Sequence, residues 1–188
     1  MHLYKPTANV SGIHEVKPGS VLVARKIGCN DILNRSVILI LEHDDTGSTG
    51  IILNKSTLLS ESLSVVTNKK LSYGGAYDTH RIGFIHSIDD VSKKIRITDS
   101  LYFSENSTEL ERFSTDPSNE NKLKAFVGFT VWAPGQLEEE LREKKWGVND
   151  LRMDELYEVD PNELWGYKLL SCGNIYGLLF DLPDPVLN

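Results

Sequence analysis

A few side chains in this 188-residue sequence are suited to acid–base chemistry or to ligand binding. His86 follows the apolar segment 82–85 and is the best candidate for a general base or proton carrier, because an imidazole titrates near neutral pH. Asn54 ends another apolar segment, where its amide can hold a ligand or a neighbouring loop. Each side chain can instead bond to nearby backbone groups, which is the common use of polar residues at strand ends.

The pair Gly74-Gly75 permits backbone conformations and close approaches that side chains forbid. It predicts either a bulge or tight strand crossing, or a sheet edge that faces a ligand. The sequence contains neither Gly-x-Gly-x-x-Gly nor Gly-x-x-x-x-Gly-Lys-Ser/Thr, so nucleotide-binding motifs give the second alternative no support.

Trp132 and Gln136 flank Pro134-Gly135, where a predicted strand gives way to a predicted helix. Backbone N–H groups at a helix start can bind an anion, but the three glutamates 138–140 oppose a phosphate there. A structural turn is favoured, and Trp132 or Gln136 can still line a pocket for a neutral ligand. The ligand-binding hypothesis therefore comprises six residues that are expected to converge: Asn54, Gly74, Gly75, His86, Trp132 and Gln136.

No catalytic residue, metal site or cofactor is predicted. The string His43-Asp44-Asp45 lies in a turn-rich segment where consecutive side chains point in different directions, which argues against a metal site. No Gly-x-Ser-x-Gly sequence marks a hydrolase nucleophile. Cys29 and Cys172 lie outside any Cys-x-x-Cys motif and are expected to be free thiols; a redox role would require a lowered thiol pKa.

The composition is that of an ordinary globular protein, with 40% hydrophobic and 25% charged residues. No apolar run approaches the roughly 20 residues that cross a bilayer, and no signal peptide is visible, so a cytoplasmic location is expected. The net charge of −7 repels phosphate backbones and argues against nucleic-acid binding. Oligomeric state is left open.

The elements that position the candidate residues are strands predicted to pair as hairpins and helices predicted one at a time between them. Strands are predicted over 20–24, 35–42, 49–54, 71–77, 81–86, 94–98, 100–104 and 124–132, with hairpins at 35–54 and 94–104. Helices are predicted within 56–68, from Asn106, from Gln136 to a cap at Gly147, and from 160 to 170. The continuous apolar residues of 37–41 predict a central strand covered on both faces. Without β-α-β alternation, this pattern predicts an α+β fold in a single domain.

The sequence Trp132-Ala-Pro-Gly-Gln-Leu-Glu-Glu-Glu-Leu141 resembles the signature of the YqgE/AlgH family of bacterial proteins. Further segments resemble the family in order and spacing: Gly19–Ala24, Ser36–Ile40 with Glu42-His43, Gly50–Asn54, Tyr73–Gly75, Ile85-His86, and Leu164-Trp165 through Asn188. The resemblance covers 18–188, with 1–17 as an N-terminal arm. The chain departs from the family pattern at Lys55-Ser56, Ala76 and Val131, where the family usually has Arg-Pro, Pro and Gly.

The resemblance implies a mixed, largely antiparallel, bifurcated sheet with a partly barrel-like region, surrounded by helices. It implies no established activity, and one branch of the family is linked to transcriptional control by name alone. The first hypothesis is a non-enzymatic regulatory or binding domain with a protein partner or a small ligand. The alternatives are an enzyme of unknown reaction that uses His86 as acid or base, and a DNA-binding transcriptional regulator.

Overall fold

A computed structural model of the protein describes residues 15–25, 32–56, 71–105 and 115–172, together with Thr108 and Phe113. Within these residues ten strands form one curled, largely antiparallel sheet, in the order β10-β1-β2-β3-β9-β6-β8-β7, with β4 and β5 on a side branch. A few helices accompany the sheet. The α+β fold predicted from the sequence is confirmed.

The elements have the following bounds. The strands are β1 (Ser20–Ala24), β2 (Val37–Asp44), β3 (Gly47–Ile52), β4 (Lys55–Ser56), β5 (Leu71–Tyr73), β6 (Tyr77–His86), β7 (Ile95–Arg96), β8 (Tyr102–Ser104), β9 (Leu123–Trp132) and β10 (Trp146–Asp150). A 3-10 helix (Pro117–Lys122) precedes β9, and the α-helices are α1 (Gln136–Arg142), α2 (Met153–Tyr157) and α3 (Pro161–Ser171).

Strand β2 is central and covered on both faces, as its continuous apolar sequence predicts. Val37, Leu39 and Leu41 pack into one buried cluster, which includes Trp165 of α3. Ile38 and Ile40 belong to a second cluster, which includes residues of α1 and β10. Because successive strand residues point to opposite faces, both faces of β2 are buried. The predicted hairpin with β3 is present and antiparallel.

The sheet branches at β9, which pairs with three other strands. Its last residues, 130–132, pair antiparallel with β3, whereas 125–127 pair parallel with β5 on the branch. Its other edge pairs antiparallel with β6. The bifurcation therefore arises because β3 and β5 pair with different parts of one long strand.

The helix that follows Pro134-Gly135 is shorter than predicted. It ends at Arg142, and Glu143 rather than Gly147 is its C-terminal cap. Lys144 then adopts a positive φ of 57°, and the chain enters β10, which pairs with β1 along its whole length. The cap prediction at Gly147 was wrong because the strand pairing of residues 146–150 outweighs the local charge pattern of a helix.

A buried ion pair fastens the C-terminal helices to β10. The Lys168 ammonium lies against the Glu155 carboxylate and donates to the Asp150 carbonyl at 2.5 Å. The same carboxylate accepts from the backbone N–H of Arg152 at 2.9 Å. Because both charges have partners, their burial is compensated.

Several predictions fall outside the described residues: the helix within 56–68 beyond Ser56, the helix cap at Asn106, the arm up to His14, Cys29, and the tail from 173 onward. Among the residues that are described, no helix is long and apolar enough to cross a membrane.

Candidate functional site

Asn54 is held by backbone groups of the segment that leads into β2. Its side-chain oxygen accepts from the N–H of Val37 at 2.8 Å, and its amide nitrogen donates to the carbonyl of Arg35 at 2.9 Å. The side chain is buried. These bonds support the backbone-capping use that the sequence left open beside ligand binding.

Gly74 and Gly75 lie where the branch of the sheet crosses β9. A Cβ on Gly75, which has φ +155°, would lie 2.0 Å from the carbonyl oxygen of Phe129. Gly128 adopts φ +74° opposite this pair, and a Cβ there would lie 2.2 Å from the Gly75 oxygen. The glycines therefore allow a backbone-to-backbone crossing that any side chain would obstruct.

His86 is fully buried at the end of β6. Its Nδ1 accepts from the backbone N–H of Ile88 at 3.3 Å, and its ring lies 5.7 Å from the ring of Tyr102. It pairs across the strands with Leu123, at the start of β9. This is the arrangement of a structural strand-end histidine with a backbone partner.

Trp132 and Gln136 belong to a hydrogen-bonded junction centred on Glu140. One carboxylate oxygen of Glu140 accepts from the indole N–H groups of Trp132 and Trp146, at 2.9 and 2.7 Å. Gln136 donates to the other carboxylate oxygen at 3.1 Å and accepts from the N–H of Ala133 at 3.0 Å. The motif Trp-Ala-Pro-Gly-Gln-Leu-Glu-Glu-Glu thus encodes a structural turn that Trp146 completes, and Glu140, which the sequence indicated only as a charge opposing phosphate, is its central acceptor.

The six predicted site residues lie in different elements: Trp132 ends β9, His86 ends β6, Gln136 begins α1, and the other three, Asn54, Gly74 and Gly75, lie in the connections next to β4 and β5. His86 lies beside the first residue of β9 and Trp132 is the last, so the two are on the order of 30 Å apart in an extended strand. Gly74 and Gly75 lie against the middle of β9, and Ile52, two residues before Asn54, donates to the Gly74 carbonyl at 2.9 Å. The role of the six residues in ligand binding stays a prediction.

A groove of about 280 Å³ lies elsewhere, on the surface formed by β2, β3, β9, β6, β8 and β7. Its buried base contains Leu41, Phe103 and Phe129. The two phenylalanine rings meet edge to face, with centroids 6.0 Å apart and planes at 80°. None of the six predicted site residues is among those that line the groove.

The rim of the groove carries exposed apolar side chains. Tyr77 is 54% exposed, Ile95 is 45% exposed and Val131 is 41% exposed. In the described part of the chain only two other large hydrophobic side chains, Ile32 and Leu170, are comparably exposed, and neither lines the groove. Exposed apolar side chains that cluster in one place mark interaction surfaces, whereas scattered ones are ordinary.

A bulge in β6 brings a charged residue over the base of this groove. Tyr77 pairs with Phe129 and Ile82 pairs with Val127, so five residue steps in β6 face two in β9. The extra residues bend away from the ladder and place the guanidinium of Arg81 5.2 Å from the centre of the Phe129 ring. Bulges of this kind redirect side chains beside functional sites.

Arg81 is held by two carboxylates. It donates to Asp78 at 2.9 Å and to Glu105 at 2.5 Å. The hydrogen bond to Glu105 and then that to Asp78 raise the pKa of Arg81, so it stays protonated at any physiological pH. Glu42 also lines the groove and is exposed, and its carboxylate has no hydrogen bond or ion pair with the described residues.

Comparison with known proteins places this fold in a family. Residues 21–177 match the family described as AlgH-like. The chain belongs to the AlgH-like family. Among its relatives is a UPF0301 protein of Parabacteroides distasonis, 31% identical over 179 residues that cover 90% of each chain. A UPF0301 protein of Cytophaga hutchinsonii is 29% identical over 90% of this chain and 98% of that one. The resemblance found in the sequence is confirmed.

Solved structures of AlgH-like proteins share the fold. A crystal structure of a Corynebacterium diphtheriae protein has a TM-score of 0.72 at 23% identity and covers 94% of this chain and 98% of its own. The solution structure of the AlgH protein from Pseudomonas aeruginosa has a TM-score of 0.68 at 20% identity, covering 98% and 99%. At these identities the likeness establishes the fold alone.

Sequence reasoning missed the groove in this AlgH-like chain because its residues are single apolar side chains on separate strands. Tyr77, Ile95 and Val131 come together only through the order β7-β8-β6-β9. One signal was available: Phe129 and Val131 are two residues apart on β9 and therefore share one apolar face, and the fold leaves Val131 exposed on that face. The bulge at 78–81 cannot be recognised from local sequence, because it arises from the pairing register between β6 and β9.

Proposed function

We propose that the protein is a non-enzymatic binding domain that captures a partner protein in the groove rimmed by Tyr77, Ile95 and Val131. One observation carries the proposal: three of the five exposed large hydrophobic side chains in the described residues meet at this single concavity. Interfaces concentrate such apolar anchors at their centre and surround them with polar groups. Here Glu42, Arg81 and Glu105 supply the polar border.

The dimensions of the groove favour a protein over a small metabolite. Its volume of about 280 Å³ lies at the lower limit of ligand pockets, which usually occupy about 300–1,000 Å³. Its apolar rim is exposed rather than folded over an enclosed space. A groove of this size accommodates one or two side chains of a partner and leaves the rim to pack against the partner's surface.

The alternatives have less support from the geometry. His86 is buried among the strands and bonded to the backbone, and it does not line the groove. The described lining of the groove carries two carboxylates and one guanidinium, and Asp78 pairs with that guanidinium from beside the groove, a balance that repels nucleic acid. We propose further that the domain acts in the cytoplasm and that binding of the partner is regulatory.

Affinity capture with matched variants tests the proposal. We expect Tyr77→Lys and Val131→Lys each to reduce at least tenfold the amount of a partner recovered from a lysate of the source cells. Leu170→Lys makes the same change at a residue that is 52% exposed and outside the groove, and it should recover as much partner as the unaltered protein. Equal recovery by all four proteins, or no specific recovery by any, would overturn the proposal.

A further inference from the structure

The charges of the groove indicate what kind of partner it accepts. Resting on the proposed function, we infer that the groove binds a partner segment that carries a Lys or Arg close to a large apolar side chain, with Glu42 as the residue that pairs with the cation. The apolar side chain would cover Phe129 and Val131. The inference follows from the balance of charge, the spacing across the strands and the ion pairs already formed in the groove.

The balance of charge in the groove is negative. Arg81 is the single cation among the described residues that line the groove, and it is engaged by Asp78 and Glu105 together. Glu42 and Glu105 line the groove with Arg81, so these three side chains carry a net charge of one negative unit, and Asp78 beside Arg81 adds a second. Lys94 and Arg96, on either side of Ile95, are bound elsewhere: Lys94 lies over the Tyr102 ring and Arg96 pairs with Asp99.

The spacing of Glu42 from the apolar base fits an extended segment. Glu42 pairs with Thr49, and Thr49 pairs with Val131, so the three residues form one row across β2, β3 and β9. Two inter-strand steps separate Glu42 from Val131 by about 10 Å. A strand rises about 3.3 Å per residue, so a cationic side chain two or three positions from an apolar one spans this row.

The groove already binds one cation, the guanidinium of Arg81, through an aromatic face and carboxylates. Arg81 lies against the face of Phe129 while two carboxylates accept its N–H groups. A cation from a partner would meet Glu42, whose carboxylate has no partner among the described residues, while the neighbouring apolar side chain would meet Phe129 and Val131. An acidic segment would instead face Glu42 directly and would compete with Asp78 and Glu105 for Arg81.

Two synthetic peptides of equal length test the charge preference. The first is acetyl-Ser-Lys-Ser-Phe-Ser-Lys-Ser-Phe-amide, and the second carries Glu in place of both Lys residues. Chemical shifts of the backbone amides in ¹⁵N-labelled protein report where each peptide binds and give its Kd. We expect the cationic peptide to shift residues of β9 and β3 around Val131 and to bind at least tenfold more tightly than the acidic one.

Charge reversal in the protein completes the test. Glu42→Lys should weaken the cationic peptide at least tenfold, whereas Glu158→Lys, the same change at an exposed residue away from the groove, should leave its Kd within twofold. Tighter binding of the acidic peptide, or equal binding by the Glu42→Lys protein, would overturn the inference. If neither peptide binds while Val131→Lys still abolishes partner capture, this inference fails and the proposed function stands.

Discussion

The rings of Trp132 and Trp146 meet edge to face, with centroids 6.2 Å apart and planes at 80°, and both indole N–H groups donate to one oxygen of Glu140. Trp132 ends β9 and Trp146 begins β10, so this carboxylate on α1 ties together two strands that are far apart in the sheet. The junction therefore fixes how the chain passes from one side of the sheet to the other.

Removal of the Glu140 carboxylate should destabilise the protein. Both tryptophans are buried, so Glu140→Ala leaves two indole donors without their acceptor, and each such donor costs about 1–3 kcal/mol. We expect urea unfolding followed by tryptophan fluorescence to show a loss of about 2–6 kcal/mol in the free energy of unfolding. Glu139→Ala, which loses only an exposed pair with Arg142, should change stability by less than about 1 kcal/mol. Similar losses in both variants would refute the role of Glu140.

The crossing at Gly128 should tolerate no side chain, and Gly135 provides the control. The two glycines have nearly the same φ, +74° and +76°, but a Cβ at Gly135 would meet no atom of the described residues within 4 Å. Gly135→Ala should therefore cost only the backbone strain, about 1–2 kcal/mol. Gly128→Ala adds the 2.2 Å approach to the Gly75 oxygen and should cost at least about 3 kcal/mol more or prevent folding. Equal thermal unfolding midpoints for Gly128→Ala and Gly135→Ala would contradict the close backbone approach at Gly128.

Cys172 should be a poorly reactive thiol whose ionisation opposes folding. Burial raises its pKa, and a hydrogen bond from Asn149 only partly offsets this. Because the folded pKa is raised, the unfolded thiol ionises first as pH increases. The stability that the neutral thiol contributes is complete below the ordinary thiol pKa and is lost as pH rises through the folded pKa. Iodoacetamide at pH 8 should modify Cys172 at least tenfold more slowly in native than in urea-unfolded protein.

The matched control for this prediction is Cys172→Ala. Relative to this variant, the unaltered protein should lose stability more steeply between pH 8 and 10. Peptide mass spectrometry gives the alkylation rate of Cys172 in each state. The prediction fails if the free energies of unfolding of the two proteins change in parallel with pH, or if Cys172 is alkylated equally fast in native and unfolded protein.

The sequence predicted those parts of the fold that local signals determine. The β2–β3 hairpin follows from two apolar runs around a Gly/Ser/Asp turn, and β9 with α1 follows from the break at Pro134-Gly135. The strand at 146–150 was missed because its Lys-Lys-Trp-Gly start looks like a helix end, and only pairing with β1 makes it a strand. Asn54 was correctly given a backbone-capping alternative, since that use depends on the adjacent chain.

The candidate site was beyond reach of the sequence because it depends on strand order and register. Ile95 and Val131 are 36 positions apart and line one groove only because β8 and β6 lie side by side between β7 and β9. The ion pair of Arg81 with Glu105 likewise joins strands that pair in space and not through a turn. Motif recognition led instead to the glycine crossing and the tryptophan junction, which hold the fold together.

Photo-cross-linking at the groove tests the central claim most directly. A benzoyl-phenylalanine in place of Val131, which is 41% exposed, presents its reactive ketone to whatever occupies the groove; the same residue in place of Leu170 serves as control. After irradiation of living cells, we predict a discrete cross-linked protein from position 131 that is absent from position 170 and is diminished by Tyr77→Lys. Cross-links from position 170 alone, or the same products from both positions, would contradict the groove as the binding surface.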